Sequence, residues 1–244
     1  MKWPSTNFRK TLLEGTYKDG RDRSSADAVH DLEEKLVPVL TSLGVHNFFP
    51  YVLEADDIIG YLSQKLGGRN TIVSVDQDLI QLVSENTNLY SPTKKYTITL
   101  DNFEDLLGVK LENYVTYKAI MGDTADNIPG IPGYGKVRSK KLAEKLGNRE
   151  ETIIITEEYQ EIVDKNVRLM DLSNSWELEE GEEEAYQEQL EASDSQICDF
   201  DKFKTHCENY NFKTILNNIP DWRSTFNKYD QTGRKLVDLI NSLK

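Results

Sequence analysis

Apolar residues recur at helical spacing over residues 27–44, DAVHDLEEKLVPVLTSLG, and predict an amphipathic helix that Gly44 ends. The same spacing predicts a second helix over residues 54–67, EADDIIGYLSQKLG. The apolar stretch HNFFPYV lies between them at 46–52 and indicates a short strand. The pattern therefore alternates between helix and strand within the first 67 residues.

A second set of elements follows. Residues 71–75, TIVSV, form a β-branched run typical of a buried parallel strand. The stretch NLYSPTKKYTITL at 88–100 predicts two short strands around a turn, and helices are expected at about 101–107 and 111–121. This order indicates an α/β domain with a helical second half. We expect the aromatic residues of 197–244 to pack in a core.

Composition limits the class of protein. The chain has 244 residues with 38% hydrophobic and 29% charged content, which is compatible with a soluble globular fold. No apolar run is long enough to cross a membrane, and the first residues lack the apolar core of a signal peptide. Two cysteines without metal-site partners favour a reducing, cytoplasmic compartment. A net charge of −13 counts against a simple basic nucleic-acid binder, although much of the acid excess lies in 177–194.

Other acids fall in three clusters that look like metal ligands. The first begins a predicted helix, the second ends a predicted strand, and the third would share one face if its turn is helical. Helix capping is an alternative explanation for the first cluster, although three acids in four residues exceed what capping needs. Carboxylates this close repel each other unless a cation lies between them. The clusters are Glu54, Asp56 and Asp57; Asp76 and Asp78; and Asp123 and Asp126.

A Gly/Pro-rich turn follows the third cluster and leads into a basic helix. Its glycines allow tight turns, and a helix beginning near Lys136 would aim its N-terminus at an anion. The candidate phosphate-binding residues are Gly130, Gly133, Gly135, Lys136, Arg138, Lys140 and Lys141. The alternative is a plain surface helix pair joined by a turn. Residues 1–26 are likewise open to two interpretations, a flexible arm or a basic gate in which Lys18 and Arg21 meet phosphates.

Three motifs together resemble the 5′-nuclease (flap endonuclease) family, in particular the 5′–3′ exonuclease domain of bacterial DNA polymerase I and its bacteriophage relatives. They are EADDIIGYLSQKLG, TIVSVDQDLIQLV and YKAIMGDTADNIPGIPGYGKVRSKKL. The resemblance implies a PIN-like parallel sheet flanked by helices, with a helix-hairpin DNA-binding element in the C-terminal helical region. We accordingly expect a nuclease domain over 1–121 and the helix-hairpin and C-terminal helices over 122–244.

The resemblance assigns roles to residues of this sequence. It implies that all seven clustered acids bind two divalent metal ions, Mg²⁺ or Mn²⁺ in its place. Segment 128–142 matches the helix-hairpin that grips the duplex backbone, often with K⁺ bound. YKDGR at 17–21 matches the start of a helical arch, so Lys18 and Arg21 match its catalytic, phosphate-contacting residues. Val75 stands where the family usually has glycine, and two further strands that each end in a metal-binding Asp are expected before residue 17 but do not occur here.

The implied function is structure-specific 5′–3′ exonuclease or flap endonuclease activity on DNA with a 5′ flap or 5′ end, or on an RNA–DNA hybrid. Replication proteins are expected partners, and the location is the cytoplasm of a bacterium or phage-infected host. Because of the departure near the N-terminus we expect a truncated chain with weak activity and low solubility. Two alternatives remain: a DNA-structure-binding protein without catalysis, and one part of a split nuclease.

Overall fold

A computed structural model describes residues 8–19, 26–49, 53–148, 155–173, 182–193 and 197–226. The helices are α1 (Phe8–Leu12), α2 (Ala26–Ser42), α3 (Ala55–Lys65), α4 (Phe103–Leu107), α5 (Tyr114–Met121), α6 (Lys136–Gly147), α7 (Glu157–Met170), α8 (Glu182–Ser193), α9 (Phe200–Asn209) and α10 (Lys213–Leu216). The strands are β1 (Asn70–Val73), β2 (Thr87–Ser91), β3 (Tyr96–Ile98), β4 (Gly122–Asp123) and β5 (Ile128–Pro129). Short 3-10 turns cover Asp78–Leu82, Leu111–Asn113 and Thr124–Asp126.

The main sheet has the order β1-β2-β3 and is mixed rather than parallel. β1 pairs with β2 in parallel, and β2 pairs with β3 in antiparallel orientation. The hairpin predicted over 88–100 is therefore confirmed. The expectation that TIVSV is a buried strand is wrong, because the side chains of Val73 and Val75 are 64% and 61% exposed. β-Branched residues favour strands at sheet edges as well as in sheet centres, and β1 lies at an edge among the described strands.

The strand predicted over 46–52 is not formed by its described part. Residues 45–49 are irregular, and residues 50–52 lie outside the described chain. The backbone N–H of Phe49 donates to Gln189 Oε1 at 2.9 Å, and Phe49 O accepts from Gln189 Nε2 at 3.2 Å. A side-chain amide thus takes the hydrogen bonds that a neighbouring strand would otherwise supply.

Most of the predicted helices are confirmed. α3 and α5 lie where hydrophobic spacing placed them, and α2 covers almost the whole of the predicted 27–44. Only the C-terminal half of α2 is packed: Val39, and Leu43 directly after the helix, are buried, whereas Val29 and Leu32 are exposed. Apolar spacing indicates a helical face, but it does not show how far along the helix that face is covered.

The chain divides into two compact units, residues 1–21 with 50–177 and residues 22–49 with 178–244. The boundary expected between residues 121 and 122 falls inside the first unit. In that unit α5 packs against α6 and α7, and Val109, Ala119 and Ile120 are fully buried. The third acidic cluster begins in β4, which follows α5 directly and contacts it, so the cluster adjoins this core.

The second unit is built on α2 and α9. Val39, Leu43, Phe203 and Cys207 form its buried centre. The aromatic residues near the C-terminus pack there as expected, with partly buried rings from Phe200, Tyr210, Phe212, Trp222 and Phe226. Within the described residues no helix combines the length and apolar character needed to span a bilayer.

Candidate active site

The first acidic cluster occupies the N-terminus of α3. Glu54 is the N-cap, and Asp57 Oδ2 accepts from the Glu54 backbone N–H at 3.1 Å, which forms half of a capping box. One carboxylate oxygen each from Glu54, Asp56 and Asp57 lies within 4.8 Å of the others. The capping explanation and the ligand explanation therefore both apply, since the turn that caps the helix also gathers three carboxylates.

Basic groups from the first described segment compensate part of this charge. Lys18 Nζ lies 2.9 Å from both carboxylate oxygens of Glu54, and Tyr17 Oη donates to Glu54 Oε2 at 2.9 Å. Burial would raise the pKa of Glu54, but the hydrogen bond and charge of Lys18 lower it below its usual value. Burial and the charge of Asp57 raise the pKa of Asp56 to about 6, against the opposing charge of Arg9.

Residues 8–19, the first described part of the predicted arm, are thus packed against the fold and do not form a flexible arm. Leu13 and Tyr17 are buried, and the backbone N–H of Lys18 donates to Asp126 O at 3.2 Å. Asn127 Nδ2 donates to the carbonyls of Thr16 and Asp19, both at 2.9 Å. These contacts hold Lys18 beside Glu54 of the first acidic cluster. Arg21, which was expected to act with it, lies outside the described residues.

The second cluster follows β1. Asp76 Oδ1 accepts from the backbone N–H of Asp78 at 2.9 Å, and Asp78 begins the 3-10 turn. The apolar residues of this turn, Leu79, Ile80 and Leu82, are buried, as is Val83 directly after it. The cluster therefore stands at the carboxyl end of a strand, where open α/β sheets bind ligands.

The third cluster spans a short strand and a 3-10 turn, so the condition of a single helical turn, on which one shared face depended, is not met. Asp123 belongs to β4, which pairs with β5, and Asp126 belongs to the following 3-10 turn. Gly122 has φ +74°, and a Cβ there would lie 2.3 Å from the backbone N of Gly130. This close approach of two backbones imposes the strand geometry on Gly122 and Asp123.

A buried lysine joins the second and third clusters. Lys118 Nζ lies 2.9 Å from Asp78 Oδ1 and 3.6 Å from Asp123 Oδ2, and its side chain is 8% exposed. Burial alone would lower the pKa of Lys118, but the two carboxylates raise it above its usual value. This residue was not identified from the sequence. Its only signal there was a single base within the apolar helix YVTYKAIM, which is weak by itself.

All three clusters meet at a narrow cavity. Its walls include Asp56 from the first cluster, Asp78 from the second, and Asp123 with Asp126 from the third. An open cleft of about 520 Å³ adjoins Asp78 and Asp123 and is lined also by Asp76 and Lys118. The fold thus brings together carboxylates that lie up to 70 positions apart, since 126 minus 56 is 70.

The end of α7 braces this arrangement. Asn166 is fully buried and its Nδ2 donates to Ala119 O at 2.8 Å and Pro129 O at 2.7 Å, which ties α7 to both sides of the third cluster. Gln81 Nε2 donates to Asp78 O at 2.8 Å and Met170 O at 2.9 Å. These amides were not anticipated, because the bonds that join α7 to the rest of the site connect residues distant in sequence and form no motif.

The Gly/Pro-rich turn leads into α6 as predicted. Gly133 has φ +80°, and Gly135 is the N-cap of α6 without a side-chain cap. Gly130 lies so close to Met121 O that an added Cβ would be 2.2 Å away. The first N–H groups of α6 have no carbonyl one turn earlier within the helix, so they are suited to an anion.

The candidate basic residues of this element differ in their surroundings. Lys136, Arg138 and Lys141 are exposed. Lys140 is turned inward instead: its Nζ donates to Leu107 O at the end of α4 and lies 5.7 Å from the centre of the Tyr117 ring. The structure therefore places Lys140 in a packing role rather than on an open phosphate-binding surface.

Comparison with known proteins identifies nucleases as relatives of this chain. Residues 2–108 match the family model described as 5′-3′ exonuclease, N-terminal resolvase-like domain. Residues 2–108 are therefore similar to the N-terminal domain of 5′-3′ exonucleases. A 5′-3′ exonuclease from Buchnera aphidicola subsp. Schizaphis graminum is 31% identical over 165 residues, which are 66% of this chain and 57% of that protein.

A flap endonuclease and a solved nuclease structure are also similar to this chain. Flap endonuclease Xni of Shewanella woodyi is 35% identical over 141 residues, which are 57% of this chain and 55% of that protein. The chain spans about half the length of the curated relatives it matches. The T5 D15 protein co-crystallized with metal ions shares the fold, with a TM-score of 0.56 and 22% identity over 84% of this chain and 81% of that chain.

Proposed function

We propose that this chain provides a structure-specific 5′ nuclease site that hydrolyses phosphodiester bonds of DNA, as a 5′–3′ exonuclease or flap endonuclease. One observation supports the proposal above the others: Asp56, Asp78 and Asp123, one from each acidic cluster, line a single cavity. The names of the homologues, 5′-3′ exonuclease and flap endonuclease, support the reaction class.

The donor set at the cavity fits hard divalent cations. The carboxylate oxygens of Glu54, Asp56 and Asp57, which lie within 4.8 Å of one another, suit Mg²⁺ or Mn²⁺, and no histidine or cysteine belongs to the three clusters. The structural neighbours include T5 nucleases crystallised with metal ions and with DNA. We propose two Mg²⁺ ions, replaceable by Mn²⁺, held by members of the three clusters. When bound, such ions would activate water and stabilise the leaving oxygen.

The chain's own residues would hold the substrate. Lys18 lies beside Glu54 of the first cluster and would contact a phosphate together with Arg21. The N-terminus of α6 with Lys136, Arg138 and Lys141 would grip the duplex backbone without reading bases, with K⁺ at the Gly/Pro-rich turn. The substrate would be DNA with a 5′ flap or 5′ end, or an RNA–DNA hybrid, and the setting replication or repair in the cytoplasm.

A second candidate also has an observation in its favour. Lys118 already supplies a positive charge between Asp78 and Asp123, where a nuclease would bind a cation. A protein that binds branched DNA without cutting it, or one part of a split nuclease, would have the same arrangement. The two candidates differ in whether Mg²⁺ produces cleavage.

The experiment is cleavage of a labelled 5′-flap substrate by the purified chain, with Mg²⁺ and with EDTA. We expect Mg²⁺-dependent release of a short 5′ product, abolished in Asp78→Asn and retained in Asp101→Asn, an exposed acid away from the clusters. Binding of flap DNA without a product, in both the unmodified chain and the control variant, would reject the nuclease in favour of the binding protein.

A further inference from the structure

Arg9 is a charged residue of α1 with an exposed side-chain fraction of only 2%. Its Nη1 and Nη2 donate to Asp57 Oδ2 and Oδ1 at 2.6 and 2.5 Å, a bidentate pair. Nη1 also lies 3.4 Å from Glu54 Oε2, and Nε donates to Leu169 O at 2.8 Å. One guanidinium therefore joins α1, the first turn of α3 and the end of α7.

Asp57 differs from the other two acids of its cluster. It is 1% exposed, and both of its oxygens are engaged, because Oδ2 accepts from Glu54 N–H as well as from Arg9. Glu54 and Asp56 are only partly buried. The sequence motif suggested three equivalent ligands. Asp57 is instead held by Arg9, and both oxygens of Glu54 are held by Lys18. Asp56 is the member of the cluster that lines the cavity.

The pair with Arg9 sets where those two acids lie. Asp57 N–H donates to Asp56 Oδ1 at 3.0 Å, and the Asp57 carboxylate holds the Glu54 backbone at 3.1 Å. Movement of Asp57 would therefore displace both neighbours. Arg9 fixes Asp57 through a planar fork that lysine cannot reproduce, and its Nε bond fixes the fork itself to α7.

A purely structural role accounts poorly for this arrangement. Burying an ion pair costs desolvation energy that its attraction often fails to recover, so an apolar pair would serve stability equally well. Orientation of neighbouring carboxylates is what the ion pair adds. Residues that orient ligands in this way commonly alter metal affinity when they are changed.

We infer that Arg9 is a positioning residue, which anchors Asp57 and thereby directs Asp56 toward a divalent cation, while Glu54 stays beside it in contact with Lys18 and Tyr17. The inference rests on the proposed function only in assuming that a cation binds at these acids. It assigns Asp57 the role of anchor instead of the ligand role that the sequence motif suggested.

The test is Mn²⁺ binding to the DNA-free protein, followed by the electron paramagnetic resonance signal of free Mn²⁺. Arg9→Lys keeps the charge but removes the fork, and we expect its Mn²⁺ affinity to fall about tenfold or more. Arg69→Lys is the control, since Arg69 is exposed and lies outside the clusters. Asp57→Asn should lower the affinity similarly, and the double variant should bind Mn²⁺ only slightly more weakly than either single variant.

Unchanged Mn²⁺ affinity in Arg9→Lys, or effects that add fully in the double variant, would overturn the inference. If Arg9→Lys does not melt cooperatively, Asp57→Asn decides alone, and Mn²⁺ affinity equal to that of the unmodified chain overturns it. The flap assay separates this result from the proposed function. Weakened Mn²⁺ binding without any DNA cleavage supports the role of Arg9 and rejects the nuclease, whereas cleavage with unchanged Mn²⁺ binding does the reverse.

Discussion

Replacing Lys118 with methionine would test how the acids are held together when no divalent cation is bound. The change keeps an unbranched apolar stem and removes the ammonium that lies 2.9 Å from Asp78 and 3.6 Å from Asp123. Two carboxylates would then face each other without a compensating charge. We expect Lys118→Met to be less stable than the unmodified chain, and we expect divalent cations to restore much of that stability.

The magnitude follows from burial. Breaking a fully buried ion pair costs about 3–5 kcal/mol, because the remaining charge stays desolvated. Here the carboxylates are 27% and 24% exposed, so water screens part of the repulsion and we expect about 2 kcal/mol. For a chain of this size that corresponds to a fall in melting temperature of about 4–8 °C. Mg²⁺ at about 100 times its dissociation constant would return about 2.7 kcal/mol.

The assay is thermal unfolding followed by circular dichroism, in EDTA and in excess Mg²⁺. Lys165→Met is the control, since Lys165 is an exposed residue within α7. A melting temperature of Lys118→Met that is equally low with and without Mg²⁺ would show that no divalent cation takes the place of the lysine charge between Asp78 and Asp123. An unchanged melting temperature in EDTA would show that the ion pairs of Lys118 with Asp78 and Asp123 contribute nothing.

Three further predictions concern other parts of the first unit. The pKa of Asp56 is raised from 3.8 to about 6, so the stability that this carboxyl contributes is present below its unfolded pKa and is lost as pH rises through its folded pKa. The melting temperature of Asp56→Asn in EDTA should therefore rise relative to that of the unmodified chain between about pH 4 and pH 7. A difference in melting temperature that does not change with pH would contradict this. Changing Lys136 and Lys141 to Ala should weaken duplex binding equally on unrelated sequences. It should also reduce the slope of log K against log salt concentration by about 0.9 for each phosphate that the protein no longer neutralises. Filter binding at several salt concentrations measures both effects, and weaker binding to one sequence alone would refute contact with the backbone. Gly122→Ala should destabilise the fold by roughly 2–4 kcal/mol, because the new methyl group would meet backbone atoms and φ is positive. Gly67→Ala is the control, since no atom lies close to the Cβ position of Gly67. Equal midpoints of urea unfolding for the two variants would show that β4 and β5 do not approach closely.

Hydrophobic spacing was sufficient for the helices and the hairpin, because those elements depend on nearby residues. It could not show how many neighbours a strand has, so TIVSV was expected to be buried although β1 lies at an edge of the described sheet with Val73 exposed. The strand predicted over 46–52 was wrong in its described part for a related reason. Its backbone is bonded by Gln189, 140 positions along the chain, and no local pattern indicates such a partner.

The residues of the candidate site also fall into those that could be identified from the sequence and those that could not. The acids were identifiable because each cluster is a compact local motif. Arg9 and Lys118 were not, since each is a single base whose role depends on distant partners: Arg9 and Asp57 are 48 positions apart. The inward turn of Lys140 was also out of reach, because its acceptor, Leu107 O, belongs to another helix.

The most direct test of the central claim is a crystal structure of the chain grown with Mn²⁺, with data collected for anomalous scattering. We predict anomalous peaks in the cavity bounded by Asp56, Asp78 and Asp123, with Lys118 Nζ displaced from at least one of its carboxylates. We also expect the peaks to weaken in Asp78→Asn. Full Mn²⁺ occupancy elsewhere on the protein, with this cavity free of anomalous density, would contradict a shared cation site built from the three clusters.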